Sequence, residues 1–270
     1  MYMGQQDNRP LVNVVAGVVL NQAGEYLLSS RPTGKPYAGY WEFAGGKVEA
    51  NESEFAALQR EFAEELGIHI HAAKPWLTKI HAYEHAHVHL RFFWVAAHQW
   101  SGELQAKEGQ QWAWQRAGYF DVSPMLPANG SILAALAVPT ALTGSLQHGF
   151  IGHNGMGEYR VVPWARAEAH HQTVLLTLTQ AQALGKLPER NSIWLVVNHA
   201  QDFAQAQDAN VLVWWVQDEH SAQQVAQQLD EGVSMPLVVL ANAMLCQQYG
   251  LSWSAKGAHA VVQHDETDWA

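Results

Sequence analysis

The sequence predicts an α/β protein in two parts, a first domain over residues 1–137 and a reduced α/β domain over residues 138–270. Three observations carry this reading. Valine-rich runs parted by turn residues precede a segment of helical period, the texture changes near Val138, and beyond it short apolar runs alternate with polar, helix-like stretches. At 270 residues the chain is long enough for two cores, and 48% hydrophobic residues supply them and exclude global disorder.

The elements follow in order. Val12 to Leu20 reads as a buried strand, Asn21 to Gly24 as a turn, and Glu25 to Ser30 as the returning strand of a hairpin. Arg31 to Tyr40 holds two prolines and two glycines and reads as a loop. Phe55, Leu58, Phe62 and Leu66 recur at spacings of three and four, which predicts a helix that Gly67 ends. Ile80 to Ala97 and Leu104 to Trp114 read as strand regions, and Ser131 to Ala137 as a short closing helix. Gly144 to Gly157, rich in glycine, reads as a linker or open loop. Val174–Leu178, Ile193–Val197, Val211–Val216 and Leu237–Leu240 then read as strands, with Ser221 to Asp230 helical between two of them. This is the pattern of βα units and a parallel sheet.

The formal charge of −10 argues against a nucleic-acid polymer as partner, because such binding needs a basic surface. It leaves room for a small nucleotide, since a bound cation reverses the local field. No run approaches the ~20 apolar residues that span a bilayer, so no membrane partner is expected. The polar start and the lone Cys246 point to a cytoplasmic protein.

The chemistry concentrates after Gly45-Gly46. Glu61, Glu64 and Glu65 stand at i, i+3 and i+4, so a helix puts three carboxylates on one face, with Arg60 the one base beside them. A solvated acidic face ordinarily intersperses lysines. A hard divalent cation, Mg²⁺ or Mn²⁺, relieves the repulsion and bridges to phosphate oxygens. Metal-assisted attack of water on phosphorus is the chemistry this predicts, with Glu61 or Glu108 as the base.

Gly46 to Ile68 matches the Nudix box, G-x5-E-x7-R-E-U-x-E-E-x-G-U with U bulky and aliphatic, Phe62 being the one departure. Residues 13–136 resemble the MutT type of Nudix hydrolase, which converts 8-oxo-dGTP to the monophosphate and pyrophosphate. The resemblance implies an α/β/α sandwich with a mixed sheet. It also implies a metal held by the Gly45 carbonyl, Glu61, Glu64, Glu65 and Glu108. Trp41-Glu42-Phe43-Ala44-Gly45-Gly46 resembles the stretch that lines the family's nucleotide site, with Ala44 where proline is usual. Arg31, Glu42, Phe43, Ala44, Gly45 and Lys47 are therefore expected at the substrate. Lys107-Glu108-Gly109-Gln110 resembles a segment that carries a further glutamate. Leu126-Pro127-Ala128-Asn129 resembles one whose asparagine reads the oxidised base, for which an amide offers donor and acceptor together. Pro36 and Ala86 replace a histidine and an arginine that touch substrate in the relatives, which implies looser purine selection. Alternatives are another diphosphate, such as a damaged thiamine precursor, or a ligand-sensing module.

The remaining signals read as structural. His81, His85, His87 and His89 are expected on a partly exposed strand, and Gly152 to Gly157 as a flexible connector rather than a phosphate loop. Trp194, Trp214 and Trp215 are expected in a core, and Cys246 as a buried, inert thiol. The second half resembles a worn thiamine-phosphate synthase, a TIM barrel, on Val138-Pro-Thr-Ala-Leu-Thr and Met235 to Val262, with Ala241-Asn242 in place of a Gly-Gly phosphate loop. Its ~130 residues fall below the ~200 of a full eight-unit barrel.

Overall fold

The computed structural model describes residues 9–84 and 86–264, and the chain divides into two compact units, Met1–Ile132 and Leu133–Ala270. In the first unit β1 (Leu11–Val19), β2 (Tyr26–Ser30), β3 (Trp41–Glu42) and β4 (Gly45–Lys47) precede helix α1 (Glu54–Glu65). After it come β5 (His69–Ile70), β6 (Lys74–Ala82), β7 (His87–Val95), β8 (Trp100–Ser101) and β9 (Trp112–Gln115). Helix α2 (Gly130–Leu136) runs across the division.

The main sheet has the order β4-β1-β7-β6. It is mixed, since β1 runs parallel to β7 and antiparallel to β4. Both edges of the apolar β1 are thus filled, and this undoes the expected hairpin. The Asn21–Gly24 turn forms, with a Leu20–Tyr26 bridge, but the strands then part and β2 joins β3 and β9 in a second sheet. A strand buried on both faces needs two long neighbours, and β7 gives β1 nine paired residues where β2 has only five to offer. The region read as one strand over 104–114 is strand only from Trp112; Leu104 to Gln111 is loop.

The second unit is a single eight-stranded sheet. Its strands are β10 (Leu142–Ser145), β11 (Gly149–Asn154), β12 (Gly157–Pro163), β13 (Thr173–Thr177), β14 (Ser192–Val197), β15 (Val211–Val216), β16 (Leu237–Ala241) and β17 (Ala260–Gln263), paired in chain order. β10 comes alongside β17, so the sheet is nearly closed into a barrel. Only β11 runs against the rest; the other seven share one direction. Helices α3 (Leu178–Leu184), α4 (Glu219–Glu231) and α5 (Ala243–Lys256) make three of the crossovers.

This corrects the linker expected over Gly144 to Gly157, which is two hairpins. Gly144 and Gly149 lie at φ +141° and +83°, and a Cβ on either would stand 2.0 Å from a carbonyl oxygen of the adjacent strand. The glycines permit close strand approach and do not loosen the chain. The stretch expected as a flexible connector is the tight turn between β11 and β12, held by Met156 N–H donating to Asn154 Oδ1. Hairpins in place of helical crossovers let eight strands fit in this short unit, contrary to the expectation from its length. Phe150, Trp194, Val213, Leu240 and Val262 fill the interior, and Trp214 is fully buried too, while Trp215 is only partly covered. Cys246 is half-buried, and burial pushes its thiol up.

Candidate active site

Helix α1 builds the site. Ser53 caps it, its side chain accepting from Ala56 N–H at 3.1 Å. The apolar face buries Ala57, Leu58 and Phe62 against β1. A Cβ on Gly17 would lie 2.7 Å from the Phe62 ring, so a glycine on the facing strand makes room for the aromatic departure from the motif.

The other face carries the charges. Arg60 grips both oxygens of Glu52 at 2.9 Å, donates to Glu61 Oε1 at 2.8 Å and reaches the Lys47 carbonyl at 2.9 Å. Hydrogen bonds to Glu52, then to Glu61, hold its pKa above the arginine range. The guanidinium fork ties the loop before the helix to Glu61. Gly46 sets the other limit on that carboxylate, since a Cβ there would stand 2.1 Å from Glu61 Oε1. Gly45, at φ +151°, packs against the Val15 carbonyl, where a Cβ would stand at 2.0 Å. Lys47 is exposed and contributes its carbonyl.

Glu65 stands one turn beyond Glu61. Burial pushes its pKa up to about 7; Lys35 opposes the rise, and the fields of Glu108 and Glu61 add to it. The last turn of α1 is stitched to the loop that follows β8. Lys107 N–H and Gln110 Nε2 both donate to the Glu65 carbonyl, at 3.1 and 2.7 Å, while Gln110 Oε1 accepts from Glu108 N–H at 2.9 Å. These bonds satisfy helix-end carbonyls and hold Glu108 near Glu65. The Lys35 ammonium lies between the two carboxylates, 3.3 Å from Glu65 Oε1 and 2.5 Å from Glu108 Oε2. Glu64 is largely exposed, and its Oε2 lies 3.4 Å from Arg60 Nη1.

Glu61, Glu65 and Glu108 thus share one region, and Glu64, more exposed, is tied to its edge through Arg60. Among the described residues no three acidic, histidine or cysteine side chains form a ready metal cage. The donor set still suits a hard cation. It consists of oxygens alone, and the lysine ammonium already takes a cation's place between two of them.

A second cluster adjoins Trp41. Trp41 N–H donates to the Pro124 carbonyl and its own carbonyl accepts from Leu126 N–H, which brings the 126–129 segment beside β3. Asn129 is 4% exposed, and its Nδ2 has no hydrogen-bond partner among the described residues. Tyr83, Val88, Leu126 and Ala128 form an apolar cluster there, with Tyr37, Tyr40 and Ala86 packed on it. The Tyr37 ring lies 5.4 Å from Tyr40 and 5.8 Å from Tyr83. Arg31 Nη1 donates to both oxygens of Glu42 at 2.8 Å, and its Nε to the Pro36 carbonyl at 2.6 Å. Burial raises the Glu42 pKa against the pull of Arg31.

Two residues expected at the substrate have buried side chains. Phe43 packs edge-on against Phe92 in the core, and Ala44 is buried, its carbonyl accepting from Gly17 N–H. Lys35, Tyr37, Tyr40 and Tyr83 join the site without a motif to announce them. The signal available in sequence is a lysine and two tyrosines inside a Pro/Gly loop that otherwise reads as mere connection. The histidines do not gather: His81 is cross-strand from Val88, while His87 and His89 face the other side of β7. His85 lies outside the described residues.

Residues 15–135 match the family described as NUDIX domain. The chain is 33% identical over 129 residues to the 8-oxo-dGTP diphosphatase of Haemophilus influenzae, covering 48% of this chain and 93% of that one. It is 36% identical over 125 residues to the CTP pyrophosphohydrolase of Escherichia coli, covering 46% and 90%. A solved MutT NUDIX hydrolase from Burkholderia pseudomallei is 26% identical, with a TM-score of 0.42, over 46% of this chain and 96% of that one. No helix among the described residues is long and apolar enough to cross a membrane. Nudix hydrolases in general use divalent metal ions. With identity at this level across nearly the whole length of such relatives, the chain belongs to the Nudix family of pyrophosphohydrolases.

Proposed function

We propose that the first unit hydrolyses a purine nucleoside triphosphate, 8-oxo-dGTP or a close relative, to the monophosphate and pyrophosphate in sanitation of the nucleotide pool. The observation that carries the base assignment is Asn129, a buried amide whose Nδ2 has no protein partner among the described residues and which stands by an aromatic, apolar cluster. Such an atom costs about 1–3 kcal/mol if left unpaired, and a purine edge offers it an acceptor.

The Gly45 carbonyl, Glu61, Glu64, Glu65 and Glu108 are the groups that would hold Mg²⁺ or Mn²⁺, with Glu64 swinging in from its exposed position. Bound there, the ion supplies phosphate neutralisation and water activation. The chain's own residues do the rest. Glu61 or Glu108 takes the proton of the attacking water as the new P–O bond forms and the bond to the departing pyrophosphate breaks. Arg60 and Gly46 fix the Glu61 carboxylate from two sides. Lys35, once released from Glu65 and Glu108, meets the polyphosphate, and Arg31 leaves or shares Glu42 to do the same.

A second reading, CTP or another pyrimidine triphosphate, is favoured by the relative of that activity and by the small Ala86 in the base cluster. A panel of 8-oxo-dGTP, dGTP and CTP, read by kcat/KM and by pyrophosphate release, separates them. Preference for 8-oxo-dGTP over dGTP supports sanitation; equal use of all three removes it.

For the second unit the reading is a reduced barrel without synthase chemistry. Asn242, at the turn where the thiamine-phosphate synthases that this half resembles have their phosphate glycines, accepts from Leu245 N–H and so closes that helix end itself.

A further inference from the structure

The seven co-directional strands of the second unit end at one mouth, and a cleft of about 240 Å³ opens there. Leu146 and Gln147 follow β10, Pro163 ends β12, Leu175 to Thr177 end β13, and Val196 lies near the end of β14. Arg166 and Gln180 complete its polar wall. In barrels of parallel strands this end is where the loops build ligand sites.

The lining states the ligand's chemistry. It holds no aspartate or glutamate, although the chain carries 25 acidic residues against 15 lysines and arginines. Arg166, an exposed residue that lines the cleft, makes no ion pair or hydrogen bond among the described residues, so its guanidinium is free to meet a ligand there. Gln180 Oε1 is used in accepting from Thr177 N–H, which leaves its NH₂ as the free end. The Thr177 hydroxyl oxygen accepts from Gln180 N–H and keeps its own proton to give. The lining also includes Leu146, Pro163, Leu175 and Val196, all apolar.

We propose that this cleft binds a small organic anion, a single oxyanion group on a compact apolar body, with Arg166 holding the anion. The volume lies below the roughly 300 Å³ at which drug-sized sites begin, so the body is no larger than about one ring. A guanidinium fork suits carboxylate and phosphate monoester alike. The site is separate from the Nudix chemistry and stands or falls without it.

The test uses the full-length, ¹⁵N-labelled protein in chelator, so that the metal-dependent site is silent. Phenyl phosphate and benzoate carry both halves of the proposed ligand; phenol and inorganic phosphate carry one each. At least one of the two bifunctional probes should saturate with shifts at the Gln180 and Gln147 side-chain amides, about tenfold tighter than either half-probe. Which of the two wins distinguishes phosphate ester from carboxylate. Arg166→Gln should weaken that probe about tenfold and leave phenol unchanged. Ala165→Trp, a substitution at an exposed lining residue, should block the probe while the rest of the spectrum stays folded. Absence of saturation by either bifunctional probe, affinity no better than that of inorganic phosphate, or affinity that both variants leave intact would each overturn the proposal.

Discussion

Gly46→Ala is the sharpest probe of the first unit. The backbone at Gly46 is not in the left-handed region, so alanine meets no conformational penalty there. The three atoms nearest the methyl that alanine would bring all belong to Glu61, at 2.1, 2.2 and 2.5 Å. Ordinary contact begins near 3.4 Å, so the carboxylate must retreat by about 1.3 Å while the helix stays put. Misplacement of a reacting group by about 1 Å costs on the order of 10²-fold in rate. The expected result is a loss of about 100-fold in kcat with a melting temperature within a few degrees of wild type. Calorimetric Mn²⁺ titration should show weaker binding. Glu61→Gln added to Gly46→Ala should cost little more, because both act on one carboxylate. Wild-type metal affinity and more than about a third of wild-type turnover in Gly46→Ala would mean that Gly46 does not position Glu61. So would full additivity of the two changes.

Glu65→Gln should lower turnover by about 10²-fold or more and leave the circular dichroism spectrum unchanged; retention of above about a tenth of the activity removes Glu65 from the metal site. Asn129→Ala should raise KM for 8-oxo-dGTP by roughly 10- to 1000-fold with kcat much less affected, from about 1–3 kcal/mol per lost bond. Steady-state kinetics on a pyrimidine nucleotide, where little change is expected, tell base reading from loop support. Gly17→Ala drives a methyl against the Phe62 ring and should cost about 1–3 kcal/mol in urea unfolding. Phe62→Leu in the same chain should recover most of it, and no recovery would mean that the two sites are independent.

The parts legible in the sequence are those whose partners are near in sequence. Glu61, Glu64 and Glu65 share a helix face by spacing alone, though spacing does not say that Glu64 is the most exposed of the three. The expected hairpin of β1 and β2 fails because turn residues report the turn, while the partners of a buried strand are chosen by distant apolar runs. Glycines at 144 and 149 read as freedom when they serve close approach, a distinction visible only once the opposing carbonyl is in place. Lys35 and the tyrosines at 37, 40 and 83 come from a loop and a strand end, and no period joins them.

The reversed β11 has a consequence for how the second unit comes to exist. Its two hairpins close over three and two residues, so strands β10 to β12 can assemble from contacts between near neighbours in sequence. Each later strand must await a longer crossover, and the seam between β10 and β17 joins segments more than a hundred residues apart. Loop-closure entropy makes that seam the last event of assembly and the first to open. Partial unfolding should therefore begin as a slit along one side of the barrel and spread from there, with the hairpins as its most persistent remnant.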